Sequence, residues 1–180
     1  MALSRGMKPR PVIALALPRA VGVESEGELA DVDLTTDPDP AELSERLAAQ
    51  LPAGFALLSA TPAEGRNAAS RVRAARYRID VADDLDWDEA VARYLAASEA
   101  IVIRTAPNKA DRRIDVRAFC HTIERVERGL AVEIDMTEAG TARPDEVATA
   151  VAATIGATPT IIRLVRTKTL LHDAPAGALT

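Results

Sequence analysis

The sequence predicts an α+β protein, and two kinds of pattern lead to this class. Over residues 130–136 apolar side chains alternate strictly with polar ones, which is typical of a strand with one buried face. Over residues 41–51 leucines recur at every fourth position, which is typical of an amphipathic helix. Segments of both kinds follow one another along the chain, so helices and strands are expected to be mixed within one fold.

Three helices are predicted, and each has a recognisable start. The first covers residues 41–51, where Asp39 fits the N-cap, Pro40 fits the first helical position and Glu42 completes a capping box. The second covers residues 87–98 and places Trp87 on its apolar side. The third begins at Pro144, again a proline at the first helical position.

The strand signals surround these helices in a definite order. They fall at residues 12–17, 29–34, 55–60, 75–81, 100–105, 112–118, 130–136 and 160–171. Residues 119–128 fit either a short helix or an extension of a strand. From residue 74 onward, setting one extra arm aside, the order is β-α-β-β-α-β, the ferredoxin-like arrangement.

The same order explains the first part of the chain if an opening strand and helix are missing. We therefore predict tandem ferredoxin-like units, the first truncated, with residues 1–60 as the truncated unit, 61–73 as a linker, 74–171 as the second unit and 172–180 as a loose tail. A unit without its opening elements would expose a sheet face and edge, so self-association is expected.

Composition limits the classes of function. The chain has 180 residues, a formal net charge of −5 and no apolar run near the ~18 residues of a membrane helix. Acidic overall charge disfavours indiscriminate nucleic-acid binding, although it allows a local basic face. A single cysteine, Cys120, excludes an internal disulfide framework and favours a reducing cytoplasm.

Basic residues form two candidate binding surfaces. One is the start of the chain, which is either a solvated segment or a basic lip for phosphate. The other is a predicted hairpin. Their members are Arg5, Lys8 and Arg10 at the start, and Arg104, Lys109, Arg112, Arg113 and Arg117 on the hairpin.

An acidic turn joins the first two predicted strands, and its composition is unusual. Residues 22–28 hold two glycines and three glutamates, with Gly22, Glu24, Ser25 and Glu28 as the distinctive positions. Carboxylates at this density are either a solvated hairpin or a weak site for a hard cation such as Mg²⁺. No zinc site is predicted, because the chain has only two histidines and one cysteine.

Three segments resemble one known family. Residues 10–28 read R-P-V-I-A-L-A-L-P-R-A-V-G-V-E-S-E-G-E, residues 113–117 read R-I-D-V-R, and residues 137–147 read T-E-A-G-T-A-R-P-D-E-V. In these motifs the chain resembles the radical-SAM-linked protein family. The resemblance implies a radical-SAM protein as partner, encoded beside such proteins or fused to them. The partner would carry the chemistry, since one cysteine cannot hold a 4Fe–4S cluster.

Three hypotheses for function follow. The first is a cytoplasmic, non-catalytic accessory protein that docks RNA or a protein substrate for the radical-SAM partner, without a cofactor of its own. The second is a metal-dependent RNA-processing or RNA-modification enzyme using Glu24 and neighbouring acids. The third is an inactive, truncated paralogue.

Overall fold

The computed structural model describes residues 2–4, 10–63, 67–107 and 109–172, with only the backbone at positions 106 and 109. It has the mixed α+β class that the sequence predicts. Its helices are α1 (Pro40–Ala48), α2 (Trp87–Ala96) and α3 (Pro144–Ala153). Its strands are β1 (Ile13–Leu15), β2 (Val23–Ser25), β3 (Ala30–Val32), β4 (Val72–Val81), β5 (Ile101–Ala106), β6 (Lys109–Asp115), β7 (Thr122–Val126), β8 (Gly129–Asp135) and β9 (Ile161–Leu171).

The chain divides into two compact units. One comprises the described residues of Met1–Leu17 and Gly27–Arg71, and the other comprises Pro18–Glu26 and Val72–His172. Residues 18–26, which contain β2, therefore belong with the later part of the chain, whereas the sequence-based division placed them in residues 1–60. The physical reason is backbone pairing, because β2 lies parallel to β9.

The second unit is built on a five-stranded sheet in the order β2-β9-β4-β8-β7. Its β9-β4-β8-β7 portion is antiparallel throughout, and with α2 and α3 it has the strand order of a β-α-β-β-α-β unit. The sequence predicted one extra arm, whereas the structure has two extra strands, β5 and β6, which form a separate hairpin. The ambiguous residues 119–128 follow a 3-10 turn, Val116–Ala118, and lead into β7.

The core lies between this sheet and the two helices. Tyr77 and Ile79 of β4 stand opposite Val132 and Leu130 of β8, and all four side chains are buried. Trp87 is also buried, at 4% exposure, on the face of α2 that covers the sheet. The alternation of apolar side chains thus has the expected cause, a sheet covered on one face.

Helix starts follow the local signals in the sequence. The Asp39 side chain accepts hydrogen bonds from the N–H groups of Ala41 and Glu42, as its predicted N-cap role requires. Asp86 caps α2 by accepting from the Glu89 N–H at 3.0 Å. Pro144 occupies the first turn of α3. None of the three helices in the described ranges is long and apolar enough to cross a membrane.

The first unit is smaller and less buried. It pairs β1 with β3 in antiparallel register and adds α1, which buries none of its residues. The predicted strand at residues 55–60 is wrong, because this run forms no ladder with any described strand and leaves Phe55 and Leu58 66% and 78% exposed. Self-association stays a prediction, supported by these exposed apolar side chains.

Gly129, at the start of β8, gives a direct test of the packing. Its φ is +142°, and a Cβ there would lie 2.2 Å from the carbonyl oxygen of Ile79. We expect Gly129→Ala to lower the free energy of unfolding by about 3 kcal/mol, since backbone strain and overpacking add. Urea titration followed by the fluorescence of Trp87, the chain's single tryptophan, measures the change.

Gly156→Ala is the matched control. Gly156 also has positive φ, +73°, but faces open space. We expect a loss of only about 1 kcal/mol from backbone strain. Equal losses in the two variants would contradict the close contact between Gly129 and β4.

Candidate functional site

The hairpin β5-β6 is an insertion between α2 and β7. Its two strands pair only with each other among the described elements, with Ile101 opposite Asp115 and Ile103 opposite Arg113. The base of the hairpin is closed by the Ala100 N–H, which donates to the Asp115 carboxylate at 2.9 Å, and by the Val116 N–H, which donates to the Ala100 carbonyl. The hairpin therefore projects from a fixed base.

Arg104 fixes one face of this hairpin to α3. Its Nε donates to Glu146 Oε1 at 2.7 Å and its terminal nitrogen donates to Glu146 Oε2 at 2.6 Å, a bidentate pair. The same guanidinium also donates to the Thr141 carbonyl at 3.1 Å. The Arg104 charge is thus neutralised in place, and Arg104 serves as an anchor.

The Glu146 carboxyl responds to this environment. Burial acts to raise its pKa, but hydrogen bonds from Arg104 and from the Arg143 backbone N–H, together with the charges of both arginines, leave the pKa below the ordinary value of 4.5. The Glu146 side chain is only 12% exposed. The pair therefore stabilises the folded state wherever Glu146 is ionised.

Arg112 and Arg113 are the exposed basic residues of the hairpin. Because neighbours in a strand point to opposite faces, Arg112 shares a face with Arg104, and Arg113 shares the other with Ile103. Neither arginine forms an ion pair within the described part of the chain. Ile101 and Ile103 are 37% and 56% exposed. One face of the hairpin thus combines two exposed isoleucines with an arginine.

Arg117 lies after the hairpin and turns towards α2. Its guanidinium donates to the Cys120 carbonyl at 3.2 Å and to the Leu95 carbonyl at 3.3 Å. It also contacts His121 Nδ1 at 2.7 Å and lies 5.6 Å from the centre of the Tyr94 ring. The sequence grouped Arg117 with the hairpin arginines, whereas these contacts place it in a separate cluster.

Cys120 and His121 do not form a nucleophile–base pair here. The Cys120 thiol is fully buried, and burial raises its pKa to about 12. Its Sγ lies 3.8 Å from the Thr122 carbonyl, while His121 contacts Arg117. Since the thiolate is the reactive form, a thiol with this pKa is poorly suited to attack a substrate.

The other predicted basic residues are only partly described. Arg10 is exposed, and its backbone N–H donates to Ser4 Oγ at 3.1 Å. Arg5 and Lys8 lie outside the described residues. Lys109 begins β6, and its side chain also lies outside them. A basic lip at residues 5–10 therefore stays a prediction.

The acidic turn contains β2 and adds an edge to the main sheet. Gly22, with φ +84°, makes the turn before it, and Ser25 stands opposite Arg166 in the parallel ladder. Glu24 forms a bidentate pair with Arg163 at 3.0 and 2.6 Å. The hydrogen bond from Arg163 lowers the pKa of the Glu24 carboxyl. The turn predicted at residues 22–28 is thus a short strand held by an ion pair.

The carboxylates of this segment do not converge on a cation. Glu26 lies 3.7 Å from Arg78, and Asp31 accepts from the Ala68 N–H at 2.6 Å. Glu28 is exposed in the first unit. In the part of the chain that the structure describes, no three histidine, cysteine or acidic side chains come together as metal ligands.

The fold and these contacts define the class of the protein. It is an α+β protein whose second unit has β-α-β-β-α-β order with an inserted hairpin. The comparison of its sequence with family models shows the family. The chain belongs to DUF2344, described as an uncharacterized protein conserved in bacteria, whose family model matches residues 1–150. No curated protein matches the chain. No solved structure matches it either.

The Arg104–Glu146 anchor gives a pH-dependent test. Because the Glu146 pKa is lowered in the folded state, its contribution is fully present above the unfolded pKa of 4.5 and is lost as pH falls through the folded value. We expect Glu146→Gln to lower the free energy of unfolding by about 2 kcal/mol at neutral pH. The difference from wild type should shrink on acidification below the unfolded pKa, as urea titrations at several pH values would measure.

Asp145→Asn provides the control in the same helical turn. Asp145 is exposed and forms no ion pair with any described residue, so its loss removes a favourable interaction with the helix dipole and a weaker Coulombic attraction to Arg104. A change at Glu146 no larger than that at Asp145 would contradict the anchoring role.

The Glu24–Arg163 pair predicts the behaviour of β2. We expect Glu24→Gln to speed amide hydrogen exchange several-fold at residues 23–26, because it weakens the bidentate pair that holds this short edge strand. Exchange mass spectrometry would follow peptides from β2 and β4 separately. Glu127→Gln, at an exposed position between β7 and β8, should leave β2 unchanged. Equal exchange in all three proteins would show that the pair does not hold the strand.

Proposed function

We propose that the chain is a cytoplasmic, non-catalytic accessory protein that docks a protein partner through the outward face of the β5-β6 hairpin. The observation that carries this proposal is the direct juxtaposition of Ile103 and Arg113, with Ile101 on the same face. Exposed isoleucines beside an arginine suit a protein surface that combines apolar side chains with carboxylates. The resemblance of residues 10–28 to the radical-SAM-linked family suggests the partner, a radical-SAM protein.

The charge arrangement favours a protein over RNA as the docked molecule. On the sheet face away from the helices, Arg76 donates to Glu133 at 2.8 Å and Arg78 lies 3.4 Å from Asp80. These guanidinium groups already have carboxylate partners, so phosphate binding would require breaking the pairs. Isoleucine side chains also gain nothing from a phosphate backbone, which is bound through positive charge.

A rigid base supports a docking role for the hairpin. The bidentate Arg104–Glu146 pair holds the opposite face of the hairpin to α3. A binding surface that is already ordered loses less conformational entropy on association than a flexible loop. The hypothesis of a metal-dependent RNA enzyme has less support, because Glu24 and Glu26 lie against Arg163 and Arg78.

Co-purification tests the proposal directly. The full chain, carrying an affinity tag, would be expressed with the radical-SAM protein encoded nearest to it and captured before and after nuclease treatment. We expect the partner to be retained after nuclease. The double variant Ile103→Asp with Arg113→Glu should reduce retention at least tenfold, because both components of the face are lost.

Arg128→Glu is the matched control, since Arg128 is exposed in the same unit and lies at the turn between β7 and β8. It should bind the partner as wild type does. Loss of the partner on nuclease treatment would instead indicate an RNA bridge and would overturn direct protein docking. Equal retention by all variants would exclude the hairpin face.

A further inference from the structure

A cleft of about 380 Å³ lies at the end of α2, beside the 3-10 turn that follows β6. It is shallow and largely open to solvent, and it adjoins the docking face proposed above, because Asp115 stands opposite Ile101 in the hairpin. Small-ligand sites typically begin at this size. Its lining residues are Ala97, Ser98, Asp115, Arg117, Ala118 and His121.

The hydrogen-bonding state of Asp115 leaves an acceptor available. Its Oδ1 accepts from the Ala100 N–H at 2.9 Å and from the Arg117 N–H at 3.1 Å. Both bonds fix the side chain to the backbone at the base of the hairpin. Within the described residues no donor reaches Oδ2. A ligand in the cleft can therefore meet a carboxylate oxygen that the fold itself does not use.

His121 supplies a donor on the same lining. Its Nδ1 lies 2.7 Å from a guanidinium nitrogen of Arg117, which can only donate. In the neutral imidazole the remaining proton is therefore on Nε2. No described residue hydrogen-bonds to Nε2. Asp115 and His121, which both line the cleft, thus offer one acceptor and one donor that the fold leaves unused.

Two buried polar atoms belong to Arg117, which lines the cleft, and to Tyr94, which Arg117 contacts. The Tyr94 hydroxyl and Arg117 Nε are buried without a hydrogen-bond partner among the described residues. The Arg117 guanidinium lies over the Tyr94 ring. Such unsatisfied groups are rare in folded proteins, and each calls for an explanation, such as strain, an ordered water or a functional role. This is independent of the shape of the cleft.

We propose that the cleft binds a small neutral ligand through an amide-type edge, an N–H group beside a C=O group. The ligand N–H would donate to Asp115, and its C=O would accept from His121 Nε2–H. A neutral ligand is favoured because the lining carries one charge of each sign, on Asp115 and Arg117. A ligand with a net charge would therefore be repelled by one of these two residues. The lactam edge of a nucleobase and a free carboxamide both offer this pattern.

Ligand titrations of the full, ¹⁵N-labelled chain test the proposal. The probes are uridine, which has the lactam edge, N3-methyluridine, in which the N–H is blocked, and nicotinamide, which has a carboxamide. We expect uridine or nicotinamide at millimolar concentration to shift the backbone amides of Ser98, Ala118 and His121. The probe that binds more tightly shows whether the amide-type edge is that of a nucleobase or that of a carboxamide. N3-methyluridine should bind at least tenfold more weakly than uridine, and equal affinity of these two would overturn the proposal.

Asp115→Asn examines the protein side of the same contact. The asparagine Oδ1 can still accept hydrogen bonds from both backbone N–H groups. The NH₂ group replaces the free carboxylate oxygen, so a donor of the protein would face the N–H donor of the ligand. Affinity for the bound probe should fall at least tenfold, whereas Asp145→Asn should leave it unchanged. Absence of shifts with every probe, or unchanged affinity in Asp115→Asn, would overturn the proposal. The comparison of blocked and unblocked ligand uses the wild-type chain, so it decides the question even if the variant does not fold.

Discussion

The second unit depends on β4, the central strand of the five-stranded sheet, which pairs with β8 along one edge and with β9 along the other. Its ladder with β8 runs from Ala74 to Asp80. Its ladder with β9 runs from Val72 to Val81 and has three irregularities, one before Ala74, one between Arg76 and Tyr77, and one before Val81. The buried side chains of this strand, including Ile79, can be covered only because β8 and β9 flank it while α2 and α3 lie over one face. Gly129 is needed at the start of β8, because a Cβ there would lie 2.2 Å from the carbonyl oxygen of Ile79 in β4. A strand with both edges paired has no freedom to shift its register by one residue, since every buried side chain would then change face.

Two segments that contribute little to the core are attached to the sheet and helices of the second unit by ion pairs. The hairpin β5-β6 is attached by Arg104 and Glu146, which are mostly buried, whereas β2 is attached by Glu24 and Arg163, which are exposed. The difference in burial sets the difference in strength, because solvent screens the exposed pair and side-chain entropy opposes it. The ion pair at the hairpin is therefore the stronger of the two, whereas β2 is also held by its backbone ladder with β9.

The sequence predicted well what short-range patterns determine and predicted less of what pairing determines. Asp39, Pro144 and the alternation around Leu130 indicated helix starts and a strand, because capping and side-chain period act within a few residues. The parallel pairing of β2 with β9 joins positions about 140 residues apart, and nothing local in residues 22–28 indicates it. The apolar run at residues 55–60 lacked a strand to pair with among the described elements, and composition alone does not supply one. Arg104 was identified as basic, but its role as an anchor depends on Glu146, which lies 42 residues further along the chain.

The described groups with shifted pKa values owe those shifts to burial and to ion pairs within the fold. Catalytic sites collect shifted groups in a cleft, where burial and neighbouring charges act on the reacting atoms. Here the pKa of Cys120 is raised by burial, the pKa of Tyr94 is raised for the same reason, and the pKa values of Glu24, Glu133 and Glu146 are lowered by arginines that hold segments of the fold together. Each shift among these described residues is explained by a structural contact. Arg117 lines the cleft of Asp115 and His121, and both its Nε and the Tyr94 hydroxyl are buried without a hydrogen-bond partner among the described residues. The ligand proposed for this cleft would therefore bind beside polar groups that the fold leaves unsatisfied.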